Sequence, residues 1–300
     1  MSHHSPAEQR VQVNGLSTLY YEAGEGAPVL VLPGAGADPK TWFRVMTELA
    51  RTHRVIVLSL PGMGGTSPGQ SVRPAMMASF VADFLDVLAV DSVVALGHSY
   101  GGLVVAELAL QRADAVSRLV LVDAGGLGRA AHPAAIALSL LPARAADALS
   151  AAVSLPGVPT VFALASNVLL RQSWRIPGPV WAAQHQLAQS RTALRVSLEV
   201  FRECGSLTGQ RESVIVTDRL WEITVPALVI WGGTDQLFPA WQGWAAARRL
   251  PSGRFVLLTG AGHLSYLDSH QEFMDALGPF VRDDLTNARS DDSELTEERA

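Results

Sequence analysis

The sequence of 300 residues has one cysteine, no long apolar run and no net positive charge. Cys204 is the single cysteine, so no intrachain disulfide can form, and a cytoplasmic setting is expected. No apolar run reaches the roughly 18 residues of a membrane span, and residues 1–10 are polar, without the apolar segment of a signal peptide. No cluster of cysteine and histidine has the spacing of metal ligands, so no bound metal is expected.

The charge distribution excludes another class of function. The formal net charge is −5, and residues 283–300 contain seven acidic residues and two arginines, which accounts for all of it. The rest of the chain is balanced and has no basic stripe, which argues against nucleic-acid binding. We predict that residues 284–300 form an acidic, disordered tail. The chain is 48% hydrophobic, and the residues before the tail are numerous enough to form a large buried core.

The most informative stretch is a Gly-x-Ser-x-Gly motif centred on Ser99. An apolar β-type run enters Gly97, and an Ala/Leu/Val-rich helical run leaves Gly102. On so sharp a turn the serine must take a strained backbone conformation, and the residues two positions before and after it must be small. Gly97 and Gly101 meet that demand. A tight turn that merely happens to carry a serine is the alternative interpretation.

The whole chain has the alternating rhythm of an α/β protein. After a predicted hairpin over residues 11–21, helical spacing separates short apolar strands, which we predict at residues 28–32, 55–58, 93–96, 118–122, 226–231 and 254–258. Residues 127–212 carry no strand signal and consist of proline-interrupted helical segments. We therefore predict a doubly wound, mostly parallel sheet with a helical cap: core residues 1–126 and 213–283, cap residues 127–212.

Two later strands end in candidate partners for the serine. Asp235 follows the strand at 226–231, and His263 follows the strand at 254–258. Sites in open α/β sheets form outside the carboxyl ends of the strands, so both residues can converge on Ser99. A serine nucleophile needs a base, and the base needs an orienting acid. Their order along the chain, Ser-Asp-His, is that of the α/β-hydrolase fold.

Five loop motifs resemble the signature loops of the α/β-hydrolase superfamily, in its capped branch of esterases, C–C hydrolases and perhydrolases. They are LPGAG at residues 32–36, PGMGGTS at 61–67, GHSYGG at 97–102, WGGTD at 231–235 and GAGH at 260–263. The resemblance covers about residues 11–283 except the cap. Pro33 and Ser59 depart from the residues common in relatives, but neither departure removes a member of the triad.

The resemblance implies a cofactor-free site with Ser99 as nucleophile, His263 as general base and Asp235 as the orienting acid. It further implies an oxyanion hole made by the backbone N–H groups of Ala35 and Tyr100. Substrate contacts are expected from Gly34, Leu237, Leu264 and the cap residue Trp174. An apolar cap over a serine site favours an uncharged, hydrophobic small-molecule substrate.

Other residues near these motifs have competing interpretations. Asp123 ends the strand at 118–122, where some relatives place the acid instead, but Asp235 lies in the fuller motif. His98 is expected to pack beside the site. His53, His132, His185 and His270 lack a motif and are expected at the surface or in the cap.

Several functions fit such a site. The leading hypothesis is a serine hydrolase that cleaves a carboxylic ester or thioester through an acyl-enzyme. A C–C bond hydrolase of a diketone-type substrate is an alternative, since GGLG at residues 125–128 resembles that branch. However, Leu264 follows His263 at the position where that branch is expected to have an aromatic residue. A biosynthetic tailoring enzyme that performs cyclisation, elimination or thioester release is another alternative. A non-catalytic ligand-binding protein would have no need of all three groups.

Overall fold

A computed structural model describes residues 5–152 and 189–282, with positions 157, 178, 182 and 186 between them. The predicted acidic tail and most of residues 153–188, including Trp174, lie outside the described residues.

An eight-stranded, mostly parallel sheet forms the centre of the fold. Its strands, in chain order, are β1 (Ala7–Val13), β2 (Leu16–Ala23), β3 (Ala27–Leu32), β4 (His53–Leu58), β5 (Val93–His98), β6 (Val116–Val122), β9 (Ala227–Gly232) and β10 (Gly253–Leu258). Their spatial order is β1-β2-β4-β3-β5-β6-β9-β10. The β1–β2 and β2–β4 pairings are antiparallel, and every other pairing is parallel. The predicted fold class is therefore confirmed.

Helices cover both faces of this sheet. They are α1 (Phe43–Leu49), α2 (Pro74–Val87), α3 (Tyr100–Gln111), α4 (Pro133–Ser139), α5 (Ala143–Ala152), α6 (Arg191–Cys204), α7 (Ala240–Ala247), α8 (Ser265–Asp268) and α9 (His270–Arg282). A 3₁₀ turn, Pro39–Trp42, leads into α1, and Asp38 caps it by accepting a hydrogen bond from the Lys40 N–H at 2.8 Å.

The sheet is buried on both faces, as continuous apolar runs require. Successive residues of β3 show this alternation: Leu30 and Leu32 belong to one core cluster, while Val29 and Val31 belong to the other. Helices α2, α3 and α7 pack against the first cluster, and α1 and α9 pack against the second. Two buried cores therefore hold the carboxyl ends of the parallel strands in fixed positions.

The described part of the segment between β6 and β9 is mainly helical, but it is not free of strand. Two-residue strands β7 (Gly205–Ser206) and β8 (Gly209–Gln210) pair antiparallel directly after α6. The prediction missed them because two residues give no periodicity, whereas the pairing depends on Gly209, which has a φ of +112°.

No single helix in the described ranges is long and apolar enough to cross a membrane. The bent pair α4 and α5, whose axes differ by 106°, meets the length and composition requirement only when the two are taken together.

Two of the four histidines expected at the surface or in the cap, His53 and His270, are buried, so the expectation is wrong for them, whereas His132 is half-buried within the predicted cap and His185 lies outside the described residues. His270 is 5% exposed and its Nε2 lies 2.7 Å from Glu48 Oε1. His53 is 6% exposed, and its Nδ1 lies 2.8 Å from Thr52 Oγ1. Each ring has a polar partner from a neighbouring side chain, which makes its burial tolerable.

The turn between β5 and α3 depends on glycine backbone that admits no side chain. A Cβ atom on Gly97 would lie 2.3 Å from the Gly101 carbonyl oxygen. A Cβ atom on Gly101 would lie 2.2 Å from the Leu32 carbonyl oxygen. Helix α3 thus packs directly on the backbone of β3 and β5, and the predicted need for small residues beside Ser99 is confirmed.

We expect Gly101→Ala to destabilise the protein by at least about 1–3 kcal/mol, the usual cost of overpacking, because the obstructing atoms are backbone. Gly278→Ala in α9 is the matched control. The nearest atoms to its added Cβ are the flexible guanidinium of Arg282, at 3.2 Å, and alanine favours a helix by about 0.5–1 kcal/mol. Denaturant unfolding measures both effects, and equal stabilities for the two variants would contradict the packing argument.

Candidate active site

Ser99 occupies the strained position between β5 and α3. Its φ of 53° and ψ of −117° are unusual for a residue with a side chain. The surrounding backbone holds it there: the Ser99 N–H donates to the Val122 carbonyl at 2.9 Å, and the Ser99 carbonyl accepts from the Gly125 N–H at 3.0 Å. The predicted strain at this serine is therefore present, and β6 is the element that maintains it.

His263 and Asp235 form a buried pair. The His263 Nδ1 lies 2.9 Å from Asp235 Oδ2, and their side chains are 3% and 0% exposed. The other oxygen, Asp235 Oδ1, accepts hydrogen bonds from the backbone N–H groups of Leu237 at 2.7 Å and Phe238 at 3.1 Å. These two bonds orient the carboxylate, so that its remaining oxygen is presented to the imidazole.

The electrostatic surroundings of His263 favour its protonated form. Burial alone would lower the imidazole pKa, but the charge of Asp235, its hydrogen bond to the ring and the charge of Asp123 together raise the pKa of His263 above 6.5. The Nδ1–H donates to the carboxylate, which leaves Nε2 of the neutral ring as a proton acceptor.

His98 connects the serine segment to the histidine loop. Its Nε2 lies 2.8 Å from the carbonyl oxygen of His263, so that nitrogen carries the proton, and the two rings are 4.9 Å apart. Burial and the neighbouring His263 keep the pKa of His98 well below 6.5. The expectation that His98 packs beside the site is confirmed, and the ring holds a neutral, fixed tautomer there.

Gly34 brings the loop after β3 against the serine. A Cβ atom on Gly34 would lie 2.9 Å from His98 Nδ1 and 3.1 Å from Ser99 Cβ. Ala35 follows directly, and Tyr100 is the first residue of α3, whose first-turn N–H groups have no partner within the helix. One predicted donor residue, Tyr100, therefore directly follows Ser99, and the other, Ala35, follows the glycine that approaches Ser99.

Helix α6 packs over two glycine-containing loops, one after β3 and one after β4. Gly36 has a φ of +71°, and a Cβ atom there would lie 3.0 Å from the Ser197 hydroxyl. Gly62 has a φ of +78°, and a Cβ atom there would lie 2.7 Å from the Val196 side chain. Side chains of α6 thus form a wall beside the loop that contains Ala35.

The other residues predicted to contact the substrate, Leu237, Leu264 and Trp174, lie in different parts of the chain. Leu237 is 8% exposed, and its N–H is used to orient Asp235. Leu264 follows His263 and packs against the second core cluster. Trp174 lies outside the described residues. Among the residues described, no group of three His, Cys, Asp or Glu side chains could hold a metal ion.

Several contacts of this site had no signal in the sequence. Phe238 places its ring edge-on to His263 with centroids 5.5 Å apart, and Trp42 stacks on Tyr266 at 3.9 Å beneath His98. Ser265 bonds to Asp123 through its hydroxyl at 2.6 Å. These contacts join segments distant in sequence, and only a tertiary arrangement reveals them.

The sequence matches the Alpha/beta hydrolase family over residues 29–276. The chain belongs to this family. The hydrolase is 32% identical over 277 residues to the dihydrolipoyllysine-residue acetyltransferase component of the acetoin cleaving system of Cupriavidus necator, which covers 89% of this chain and 67% of that protein. It is 25% identical over 291 residues to the 2-hydroxy-6-oxo-6-(2'-aminophenyl)hexa-2,4-dienoic acid hydrolase of Metapseudomonas resinovorans, which covers 94% and 93% of the two chains.

Solved structures agree with this family. The hydrolase superposes on a thermophilic esterase from Thermogutta terrifontis with a TM-score of 0.73 and 25% identity, over 92% of this chain and 98% of the esterase. It also shares its fold with a bacterial membrane phospholipase A at a TM-score of 0.76 and 23% identity, over 93% and 87% of the two chains. The chain is thus a hydrolase whose relatives include both an esterase and a C–C hydrolase.

The two histidines of the site should titrate very differently. We expect the His263 imidazole to gain its proton at a pH above 6.5, whereas His98 should stay neutral well below that pH. Nitrogen-detected NMR titration of the histidine rings measures both values, with His263→Gln and His98→Gln used for assignment. A His98 resonance that titrates near pH 6.5 would contradict the buried geometry.

Proposed function

We propose that this hydrolase cleaves a carboxylic ester or thioester of a small-to-medium hydrophobic acyl group through a covalent acyl-enzyme. The single observation that carries the proposal is the strained Ser99 at a strand-to-helix turn, with the buried His263–Asp235 pair in the neighbouring strand-exit loops. A φ of 53° at a serine costs about 1–3 kcal/mol and is typical of functional sites.

Each residue of the proposed site has one role in the reaction. The Ser99 hydroxyl attacks the substrate carbonyl and passes its proton to Nε2 of His263. Asp235 holds the imidazole through Nδ1 and stabilises the imidazolium that forms. The backbone N–H groups of Ala35 and Tyr100 stabilise the oxyanion, and each such donor is worth about 10²–10³ in rate. The imidazolium then protonates the leaving group, and a water activated by His263 releases the acid.

The preference for a hydrophobic acyl group rests on the cap, which we assign to residues 127–212. Helix α6 turns Val196 toward Gly62, beside the proposed oxyanion loop. The esterase relative supports ester chemistry. The relative named for acetyl transfer on dihydrolipoyllysine supports a thioester, since acyl transfer and hydrolysis share the acyl-enzyme step. Because Cys204 is the only cysteine, we also propose a cytoplasmic setting.

A second candidate is cleavage of a C–C bond in a diketone-type substrate. The relative from Metapseudomonas resinovorans favours it, since its name describes hydrolysis of a dienoic acid with a 6-oxo group. A panel of p-nitrophenyl esters, an acyl thioester and a vinylogous diketone separates the two candidates. Turnover of the diketone at a kcat/KM far above that of every ester would replace the ester proposal with this one.

Replacing the nucleophile should abolish the chemistry without unfolding the chain. We expect Ser99→Ala to lose both covalent labelling by a fluorophosphonate probe and hydrolysis of the best substrate, since the Ser99 hydroxyl is the group that forms the acyl-enzyme. Ser79→Ala on the exposed face of α2 is the control and should label normally. Intact protein mass spectrometry detects the adduct, and circular dichroism checks the fold. Wild-type turnover by Ser99→Ala would remove Ser99 as the nucleophile.

Replacing Asp235 should favour the wrong tautomer of the His263 imidazole. We expect Asp235→Asn to lower kcat by about 10⁴, because its amide N–H₂ would face Nδ1 of His263 and move the ring proton to Nε2. Asn keeps the oxygen that accepts from Leu237 and Phe238, so the loop should stay folded. Asp123→Asn should cost far less. Steady-state kinetics compares the two, and the reverse ranking would assign the acid to the end of β6.

A further inference from the structure

Asp123 makes more hydrogen bonds to the catalytic loops than any role in the proposed reaction requires. It ends β6, it is fully buried, and its φ is 45°. Its Oδ1 accepts from the Gly232 N–H at 2.7 Å. Its Oδ2 accepts from the Ser265 hydroxyl at 2.6 Å and from the Ser265 N–H at 3.3 Å. One carboxyl group therefore bonds to the last residue of β9 and to the first residue of α8, which border the loops that follow β9 and β10.

Those two loops carry the proposed acid and the proposed base. Gly232 lies three residues before Asp235, and Ser265 lies two residues after His263. A bond at each site restrains the loop close to the catalytic side chain without touching it. The Asp123 N–H also donates to the Ile230 carbonyl at 3.0 Å, which fixes the carboxyl group against the end of β9.

The contacts of His263 decide against Asp123 as the acid of the pair. Nδ1 of the imidazole is hydrogen-bonded to Asp235, whereas both oxygens of Asp123 are occupied by Gly232 and Ser265. We propose that Asp123 is a positioning residue, which holds the acid loop and the histidine loop in register so that Asp235 and His263 meet. This inference rests on the proposed function of that pair.

Charge provides a second route by which Asp123 acts on His263. Burial and the negative charge of Asp235 raise the pKa of Asp123 to about 8, against the opposing effects of His263 and of its hydrogen bonds with Ser265 and Gly232. The titratable groups that face it are Asp235 after β9, His263 after β10 and the Tyr266 phenol on α8. The pKa of Asp123 thus lies well above that of an ordinary aspartate, and the group gains its charge as the pH rises through about 8.

The hydrogen bond between the Asp123 carboxyl group and the Ser265 hydroxyl can form whether Asp123 is ionised or neutral. When Asp123 is ionised, the Ser265 hydroxyl donates to it; when it is neutral, its own O–H can donate to the Ser265 oxygen. The ionised form favours the imidazolium of His263, since the charge of Asp123 raises the pKa of that ring. The imidazolium forms in the transition state, so ionisation of Asp123 should increase kcat.

The test compares Asp123→Asn and Asp123→Ala with Arg118→Met, a control in the same strand. Arg118 Nη1 donates to the Phe280 carbonyl at 2.7 Å at the opposite end of β6, so its loss perturbs β6 far from the site. The measurements are kcat and KM from pH 5 to 10, the rate of fluorophosphonate labelling at Ser99, and the His263 pKa by NMR. Asn preserves the shape of the neutral carboxyl, the bond from the Gly232 N–H and a donor to the Ser265 oxygen, and it tolerates a positive φ; only the 3.3 Å bond from the Ser265 N–H is lost.

We expect Asp123→Asn to be close to the wild type at pH 6–7, with a wild-type to variant ratio of kcat that rises as the pH passes through about 8. In the pH range where the Asp123 carboxylate forms, the His263 ring of the variant should lose its proton at a lower pH than that of the wild type. Asp123→Ala should lose about 10² in kcat and in labelling rate with little change in KM, the cost of a misplacement of about 1 Å. Arg118→Met should keep the wild-type pH profile and His263 pKa even if its melting temperature falls.

Two results would overturn the inference. The first is an Asp123→Asn variant with an unchanged His263 pKa and a pH-independent ratio of kcat, as a merely structural residue would give. The second is an Asp123→Ala variant that folds and labels at the wild-type rate. Failure of the proposed function looks different, because the wild type itself would then not be labelled at Ser99. The NMR comparison of wild type and Asp123→Asn would still decide whether Asp123 acts on His263.

Discussion

The structure depends on the direct contact of backbone with backbone where β5 turns into α3. Glycine at positions 97 and 101 lets the carbonyl groups of β3 and α3 approach to distances that a side chain would forbid. That approach seats the amino end of α3 beside the loop after β3, and it forces Ser99 into a positive φ. Backbone hydrogen bonds to the end of β6 and to the residues after it hold Ser99 in this strained conformation. The geometry of the serine therefore depends on the packing of the sheet.

Burial determines how the polar groups of the site behave. Asp235, His263, Asp123 and His98 all lie in the interior, where an unpaired charge is costly. Each is therefore paired: His263 with Asp235, Asp123 with Gly232 and Ser265, and His98 with the carbonyl of His263. The outcome is a chain of bonds across three strand ends in which a change of one protonation state is felt by the next group.

The sequence predicted the parts of this arrangement that local backbone chemistry determines. The parallel strands follow from continuous apolar runs, and the Ser99 turn follows from glycine spacing, because both depend on neighbours along the chain. The order of Asp235 and His263 indicated which strand ends would meet. The described residues place these two side chains together, whereas Trp174 and the boundaries of the cap remain predictions.

What the sequence could not predict depends on partners that are distant along the chain. His270 is buried because Glu48 of α1 reaches it, and no pattern around His270 indicates that neighbour. The contact between Asp123 and Ser265 joins residues 142 positions apart. Helix α6 was foreseen as a helix, but its position over Gly36 and Gly62 could not be, since apolar spacing identifies a buried face and not the surface that it covers.

The placement of α6 has a consequence for how such a chain can diverge. Val196 and Ser197 touch the outer side of the loops at Gly62 and Gly36, while Gly34 touches the serine from the inner side. The loop after β3 therefore lies between helix α6 on one side and the turn at Ser99 on the other. A substitution that enlarges a side chain of α6 would displace the loop at residues 34–36 before it changed the volume available to the substrate. Selectivity and turnover would then change together, and a lineage that acquires a new substrate through α6 would need compensating change in the loop at residues 34–36.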